Sequence, residues 1–405
     1  MYKKELLERF LRYVKINTCS DENSKTVPST QHQFELAELL KDELLGLGIA
    51  DAHVDENCYV YGHLEATKGH EKENGIAFIA HMDTVSDFCE GKTITPVVHE
   101  NYDGGDIVLK DRTIKVSDYP HLKEMKGRTI ITTDGTTVLG ADDKAGVAEI
   151  MTMLEVLINE NIPHGRICVA FTPDEEIGSG ADLLDLEKLG AAYGFTSDGD
   201  FEGIIEYENF NAASAKIDIT GVNIHPGDAK DIMIDAAAVA AELQSMLPEK
   251  ETPRNTSGYE GFYHLMHIEG TVEAAHMDYI IRDHDREKFE AKKANILAIA
   301  EKLNEKYGEG TVKATVTDSY YNMEEMIRPH MDIIERAKKA IKEAGMEPKF
   351  KPVRGGTDGS KLSFRGLPCP NLGTGGFAYH GPYEHASLEG MEKSTEILVN
   401  IAKAE

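Results

Sequence analysis

An α/β fold with a mostly parallel central sheet, interrupted by an inserted ferredoxin-like α+β unit, is predicted by three features of this 405-residue sequence. First, short unbroken apolar runs end abruptly in polar residues. Ile76-Ala77-Phe78-Ile79-Ala80 stops at His81, and Ile167-Cys168-Val169-Ala170-Phe171 stops at Thr172-Pro173-Asp174. Strands buried on both faces of a helix-covered parallel sheet have this character. Second, segments of helical period alternate with these runs, as strand–helix–strand units require. Third, the style changes after about Glu208, where the order becomes β-α-β-β-α-β, that of a split ferredoxin-like unit. The expected division is residues 1–208 with 319–405 as one discontinuous domain, and 209–318 as the insert.

Taken in order, Leu6, Leu7, Phe10, Leu11 and Val14 have helical spacing. Thr30-Gln31-His32-Gln33 has the form of a capping box, and the helix it starts carries Phe34, Leu36, Ala37, Leu40, Leu44 and Leu45 on one face. Tyr59 to Leu64 reads as a strand, followed by Ile76 to Ala80. Gly91 to Gly127 has turn chemistry and no clear period, which predicts a β-rich or looped insertion. Thr129 to Thr132 is a further strand, and a helix follows with Val147, Ile150, Met151, Leu154 and Ile158 on one face. After the strand at Ile167, a helix is expected from about Ala181 to Leu189, then a strand from Tyr193 to Thr196. In the insert, Ala213, Ala215, Ile217 and Ile219 alternate as a half-exposed strand, and an Ala-rich helix runs from Asp231 to Leu247. Strands at 262–268 and 271–282, a helix through Phe289 and Leu303, and a strand at Val312, Ala314 and Val316 complete it. A helix through Ile333 and Ile341, the glycine-rich loop Arg354 to Ser360, and a terminal helix with Ile397, Leu398 and Ile401 follow.

Composition narrows the function classes. Lys plus Arg number 43 against 71 Asp plus Glu, a formal charge of −28, which argues against nucleic acid and anionic membrane as partners. No apolar stretch approaches a bilayer span, and the amphipathic start MYKKELLERF is not a signal sequence, so a cytoplasmic location is expected. The cysteines Cys19, Cys58, Cys89, Cys168 and Cys369 show no C-x-x-C spacing and are expected to be reduced.

The chemistry concentrates at strand ends. His81 with Asp83, the pair Asp142-Asp143, the pair Glu175-Glu176, and Asp198 stand at the ends of strands or starts of helices, and a later loop adds His380. In a doubly wound sheet such ends lie along one edge, so these groups can converge. Each alone has a bland explanation: a surface His-Asp turn, a helix cap, an acidic helix start. Together they describe a cluster of carboxylates whose mutual repulsion a divalent metal would remove. Two histidines with several carboxylates suit zinc, cobalt or manganese, and the donors exceed what one tetrahedral zinc uses. A two-metal centre with one bridging carboxylate fits better. In the Glu175-Glu176 pair one member can bind metal while the other acts as a general base.

At these residues the chain resembles the two-zinc exopeptidase family that includes carboxypeptidase G and succinyl-diaminopimelate desuccinylase, and within it the tripeptide aminopeptidases. The broadly shared motifs are HMDT (81–84), GADDKAG (140–146), FTPDEE (171–176), Ser197-Asp198-Gly199 and Tyr379-His380-Gly381. Those closer to the tripeptide enzymes are ENFNAAS (208–214), His225-Pro226-Gly227, YEGFYHL (259–265), YIIRD (279–283), DSYYNM (318–323), RGGTDGS (354–360) and GLPCPN (366–371). The resemblance implies two zinc ions per subunit, with cobalt or manganese as substitutes. His81, Asp142 and Asp198 would bind one and Asp142, Glu176 and His380 the other, with Asp142 bridging. It makes Glu175 the general base and Asp83 the support of His81. His225 would reach the developing oxyanion, and Arg282 and Arg354 would hold the carboxylate of a small peptide substrate. The implied activity is metal-dependent removal of the N-terminal residue of tripeptides, by a hydroxide held between the metals. A dipeptidase, carboxypeptidase or N-acyl amino acid deacylase sharing the centre is the alternative, and a silent metal-binding protein a second. The insert would be a lid or a homodimer surface.

Overall fold

The computed structural model describes residues 2–88 and 91–404. Cys89 therefore lies outside the described residues, while Cys19, Cys58, Cys168 and Cys369 are buried and form no disulfide among the described residues. The chain forms two units, one of Met1–Tyr207, Glu325–Lys351 and Thr357–Glu405, the other of Glu208–Glu324 and Pro352–Gly356. The second divide differs from the expected one at 318/319. The strand through Tyr320 belongs wholly to the second unit, and so does the short stretch that carries Arg354.

In the first unit α1 (Lys3–Tyr13) buries Leu6, Phe10 and Tyr13. α2 (Gln33–Gly46) follows, but no side chain caps it. The expected capping box fails because its members find partners elsewhere: the Thr30 hydroxyl donates to the Cys19 carbonyl and Gln33 Nε2 donates to Asp174. β1 (His53–Val54), β2 (Val60–Leu64) and β3 (Ile76–His81) come next, and β3 is buried at every position. The 91–127 segment folds as β4 (Pro96–His99) and a short hairpin of β5 (Ile107–Val108) and β6 (Thr113–Ile114). It packs on its own apolar cluster, which includes Tyr102, Ile114, Leu122 and Met125. β7 (Ile130–Thr133) pairs with β4 instead of joining the central sheet. Its period alone could not show which sheet would take it.

α3 (Ala141–Asn159) and β8 (Ile167–Thr172) follow as expected. α4 is confined to Leu186–Leu189, because residues 181–185 turn and Asp185, in an extended conformation, caps the helix with its carboxylate. β9 (Tyr193–Gly199) runs past Thr196, so Asp198 stands within the strand. β10 (Ile204–Glu206) ends the first pass.

The second unit contains β11 (Asn211–Thr220), α5 (Ala236–Met246), β12 (Phe262–Gly270), β13 (Ala274–Asp283), α6 (Arg286–Tyr307) and β14 (Val312–Tyr320). α5 starts later than Asp231, at the Asp235 cap. The sheet order is β12-β13-β11-β14, antiparallel throughout, which is the ferredoxin-like arrangement. Inward residues of β11 and β13, such as Ile217, Ile219, Met277 and Ile281, share one core with Leu243, Phe289, Ile296 and Leu303 of the two helices.

After α7 (Glu324–Ile327), the first unit resumes with α8 (Met331–Glu343), β15 (Lys349–Phe350), α9 (Asp358–Phe364), β16 (Asn371–Gly373), β17 (Gly376–Phe377), β18 (His385–Ser387) and α10 (Leu388–Ala402). Its main sheet has the order β1-β2-β8-β3-β9-β16-β10-β15, with β8, β3, β9 and β16 mutually parallel. A smaller antiparallel sheet has the order β17-β18-β7-β4. α3 lies on β3 and β9, and α10 on α3. Tyr61, Ala77, Ile79, Cys168 and Ala170 face the other side, against Leu184, Leu189 and Leu362. Among the described residues no helix is long and apolar enough to cross a membrane.

Candidate metal centre

Parallel register builds the centre. His81 ends β3 opposite Thr172, the end of β8. Ile79 pairs with Thr196 in β9, and two residues further along both strands His81 stands beside Asp198. Two loops supply the rest: the start of α3 brings Asp142, and the turn after β8 brings Glu175 and Glu176. Asp142 and Asp143 have non-helical backbone angles (ψ 103° and 35°), so their carboxylates leave the helix surface.

The distances define two overlapping groups. His81 Nε2 lies 2.9 Å from Asp142 Oδ1 and 3.6 Å from Asp198 Oδ1. His380 Nε2 lies 3.1 Å from Asp142 Oδ2 and 3.0 Å from Glu176 Oε2. The two oxygens of Asp142 thus face different partners. Donor atoms of His81, Asp142 and Glu176 all fall within 4.8 Å of one another, as do those of His81, Asp143 and Asp198. On the far side of the ring, His81 Nδ1 donates to the Asp83 carbonyl at 3.1 Å, with the Asp83 carboxylate at 3.3 Å. A buried imidazole held this way presents its other nitrogen as a ligand. Asp83 does more than orient His81. Its carboxylate also accepts the N–H groups of Glu175 (2.9 Å) and Glu176 (3.2 Å), so one buried side chain sets both the histidine and the acidic turn.

Electrostatics show what the cluster favours. Burial, then the charge of Asp142, pushes Glu176 and Asp198 each up to about 7. Burial also holds Glu175 well above the usual carboxylate range, and the charges of Asp198, Asp358 and Glu176 add to it. Against its own burial, Asp142 is held below the usual range by bonds from His380 and His81. His380 is pushed up to about 11 by Asp142 and Glu176. Clustered, buried carboxylates of this kind favour a positive charge nearby. A divalent metal fits the same need. The donors are two imidazole nitrogens and carboxylate oxygens, the set expected for zinc, cobalt or manganese. Glu176 Oε1 is buried without a hydrogen-bond partner, as an oxygen kept for a metal would be.

Of the residues singled out in the sequence, the first unit brings together His81, Asp83, Asp142, Glu175, Glu176, Asp198 and His380. His225, Arg282 and Arg354 belong to the second unit. His225 is exposed, and its Nδ1 accepts the Gly227 N–H at 3.1 Å, which leaves Nε2 as the donor. Arg282 lies over the Tyr320 ring, 5.3 Å from its centroid, and its Nε is buried without a partner. Arg354 is already occupied. It donates to the carbonyls of Gly258 (2.7 Å) and Glu260 (3.0 Å) and to the Thr256 hydroxyl (2.9 Å), and stacks on Phe210 and Phe262. In this geometry it fastens the 256–260 loop.

Two further carboxylates adjoin the centre. Asp143 accepts the N–H groups of His81 and Gly146, both at 3.2 Å. Asp358 accepts the Thr172 hydroxyl at 3.0 Å and is pushed up to about 6 by burial. Asp143 is singled out in the sequence together with Asp142, whereas Asp358 has only its place in GGTDGS as a signal.

Comparison with known proteins follows the same lines. The sequence model of peptidase family M20/M25/M40 matches residues 138–404. Peptidase T of Caldanaerobacter subterraneus subsp. tengcongensis is 53% identical over 403 residues, covering 98% of this chain and 98% of the relative. The crystal structure of aminopeptidase PepT from Bacillus cereus matches with a TM-score of 0.78 at 26% identity, over 99% of this chain and 98% of that one. The YXEP protein of Bacillus subtilis, a dinuclear metal-binding peptidase of family M20, matches with a TM-score of 0.66 over 99% of this chain and 97% of that one. At 16% identity that last likeness is one of fold alone.

Proposed function

The chain belongs to peptidase family M20/M25/M40, and from that premise we propose that it is a metal-dependent aminopeptidase releasing the N-terminal residue of tripeptides. The observation that carries this reading is Asp142, whose two oxygens face His81 and His380 separately. One carboxylate so placed can serve two metal positions, one with His81 and Asp198 and one with Glu176 and His380. Metal dependence follows from the family and the donor set; zinc is our proposal for the identity, with cobalt or manganese able to substitute. A divalent pair held there supplies Lewis acidity and offsets the clustered negative charge.

The chain's own residues do the remaining work. Glu175, which neither ligand group needs, takes the proton of the attacking water at its carboxylate and delivers it to the leaving amine. A carboxylate placed beside the ligands but not among them can hold that proton between the two steps. Asp83 fixes Glu175 through the backbone N–H and His81 through the ring, keeping base and ligand in register. We assign His225 the role of a donor to the developing oxyanion and Arg282 that of holding the peptide carboxylate. The planar guanidinium of Arg282 suits two parallel hydrogen bonds to a carboxylate, while Arg354 supports this subsite through its loop. We further propose a cytoplasmic location and a homodimer formed through the inserted unit, whose edge strand exposes Met266 and Ile268. The acidic charge supports small peptides over nucleic acid as partners.

Rates on tripeptides, dipeptides, C-terminally blocked peptides and N-acyl amino acids test the reading. Fast tripeptide cleavage from the N-terminus supports it. Faster cleavage of dipeptides or acylated amino acids would replace it with the alternative activities of the same family.

A further inference from the structure

Three backbone N–H groups on the loop that carries Asp142 converge on one carboxylate that belongs to neither ligand group. Glu384 Oε2 accepts from Leu139 (2.6 Å) and Gly140 (2.8 Å), and its Oε1 accepts from Asp142 (3.1 Å). The residue is 2% exposed, and burying a carboxylate is unfavourable unless it is well hydrogen-bonded. The amides it binds lie on the kinked loop just before the regular turns of α3, where backbone N–H groups lack helical partners and are satisfied by this carboxylate instead.

The same side chain is anchored at its other end. Glu384 donates its own N–H to the Gly381 carbonyl at 3.1 Å, closing a turn immediately after His380. It then leads into β18, which pairs with β7, the strand that precedes the Asp142 loop. The turn bearing His380 and the loop bearing Asp142 are therefore fastened to each other through one buried carboxylate.

The two histidines differ in how much they need this. The His81 side chain is 2% exposed, ends a buried strand and is held by Asp83. His380 is 54% exposed, and its Nε2 contacts only Asp142 and Glu176, which are ligand candidates themselves. Among the described residues, these two carboxylates are the side chains its imidazole bonds to. Its place relative to Asp142 depends on the turn that Glu384 secures.

We propose that Glu384 is a positioning residue that sets His380 against Asp142 and so governs affinity at the second metal position, that of Asp142, Glu176 and His380. The inference rests on the two-metal reading above. Glu384→Gln is nearly isosteric, yet in either orientation its –NH2 must face at least one of the three N–H donors.

The test is a titration of the metal-free protein with Co2+ alone, followed by visible absorbance and equilibrium dialysis. Wild-type protein is expected to bind two ions; fewer than two would overturn the two-metal reading and this inference with it. Given two, Glu384→Gln is expected to keep the first ion and bind the second roughly 10–100-fold more weakly, the usual scale for a residue that orients a ligand. Excess Co2+ should then restore its tripeptide turnover. Two ions bound with wild-type affinities would overturn the inference and leave the two-metal reading standing. Equal weakening of both would also overturn it, because general loss of fold stability acts on both positions alike. Should Glu384→Gln not fold, Glu384→Asp carries the same comparison, since it keeps the charge but withdraws it by one methylene. A weaker second ion supports the inference there, and an unchanged pair of affinities refutes it.

Discussion

Removing the metals should make the first unit less stable as pH rises through neutrality, and two ligands give the size of the effect. Glu176 stands at about 7 against an ordinary 4.5, and Asp198 at about 7 against 3.8, each raised first by burial and then by Asp142. A group with a raised folded pKa binds its proton more tightly when folded. Its contribution is complete below the unfolded pKa and is lost as pH climbs through the folded one. At about 1.4 kcal/mol for each factor of ten in proton affinity, Glu176 accounts for roughly 3 kcal/mol and Asp198 for roughly 4. Both lean on Asp142, so the two do not add, and about 4 kcal/mol between pH 4 and pH 8 is the expected total. His81 and His380 are also raised, and above about pH 6.5 they act in the same direction. Thermal unfolding of metal-free and metal-loaded protein at pH 5 and pH 8 measures this. Roughly 4 kcal/mol corresponds to a fall of about 7 °C in Tm for a unit of this size. The metal-loaded protein should show little of that fall, because the cations take the place of the protons. Equal stability of the metal-free protein at both pH values, or greater stability at pH 8, would refute the reasoning.

The other expectations are simpler. A strong chelator should abolish tripeptide hydrolysis, and zinc or cobalt should restore it; undiminished turnover in chelator would rule out the metal mechanism. Arg282→Ala should raise KM for a tripeptide roughly 10–100-fold, the worth of charge-assisted hydrogen bonds to a carboxylate, with kcat changed much less. An unchanged KM would remove Arg282 from substrate binding. Arg354→Ala should loosen the 256–260 loop, measured as faster amide hydrogen exchange there; unchanged exchange would contradict its fastening role.

Strand ends were the legible part of this sequence. Five apolar residues ending at His81, and five more ending before Glu175, specify buried parallel strands by pattern alone, and convergence of their ends follows from topology. The insert was legible because alternation in β11 and helical period in α6 are both strong. Features that depend on distant partners were not. Thr30 has the spacing of a cap, but its hydroxyl is taken by Cys19. β7 has a strand's composition, and only the three-dimensional pairing with β4 and β18 shows that it stands apart from the central sheet. Arg354, which opens the glycine-rich loop, reads as a partner for the peptide carboxylate, yet backbone carbonyls of another loop use its donors. Glu384 carried no signal, since its partners lie more than 240 positions earlier in the chain. Asp83 was read as the support of His81, and its second task, binding the amides of Glu175 and Glu176, needed coordinates to see.

The division of labour between Glu175 and Glu176 is the centre of the account. Metal content and tripeptide turnover measured together on Glu175→Ala test it most directly. The account predicts two bound metal ions, as in the unaltered protein, with kcat reduced by about 10²–10⁴-fold or more, the scale of a lost general base. Loss of a metal ion from Glu175→Ala, or retention of near-normal turnover, would contradict it; the first result would mean that Glu175 is the ligand and Glu176 the base.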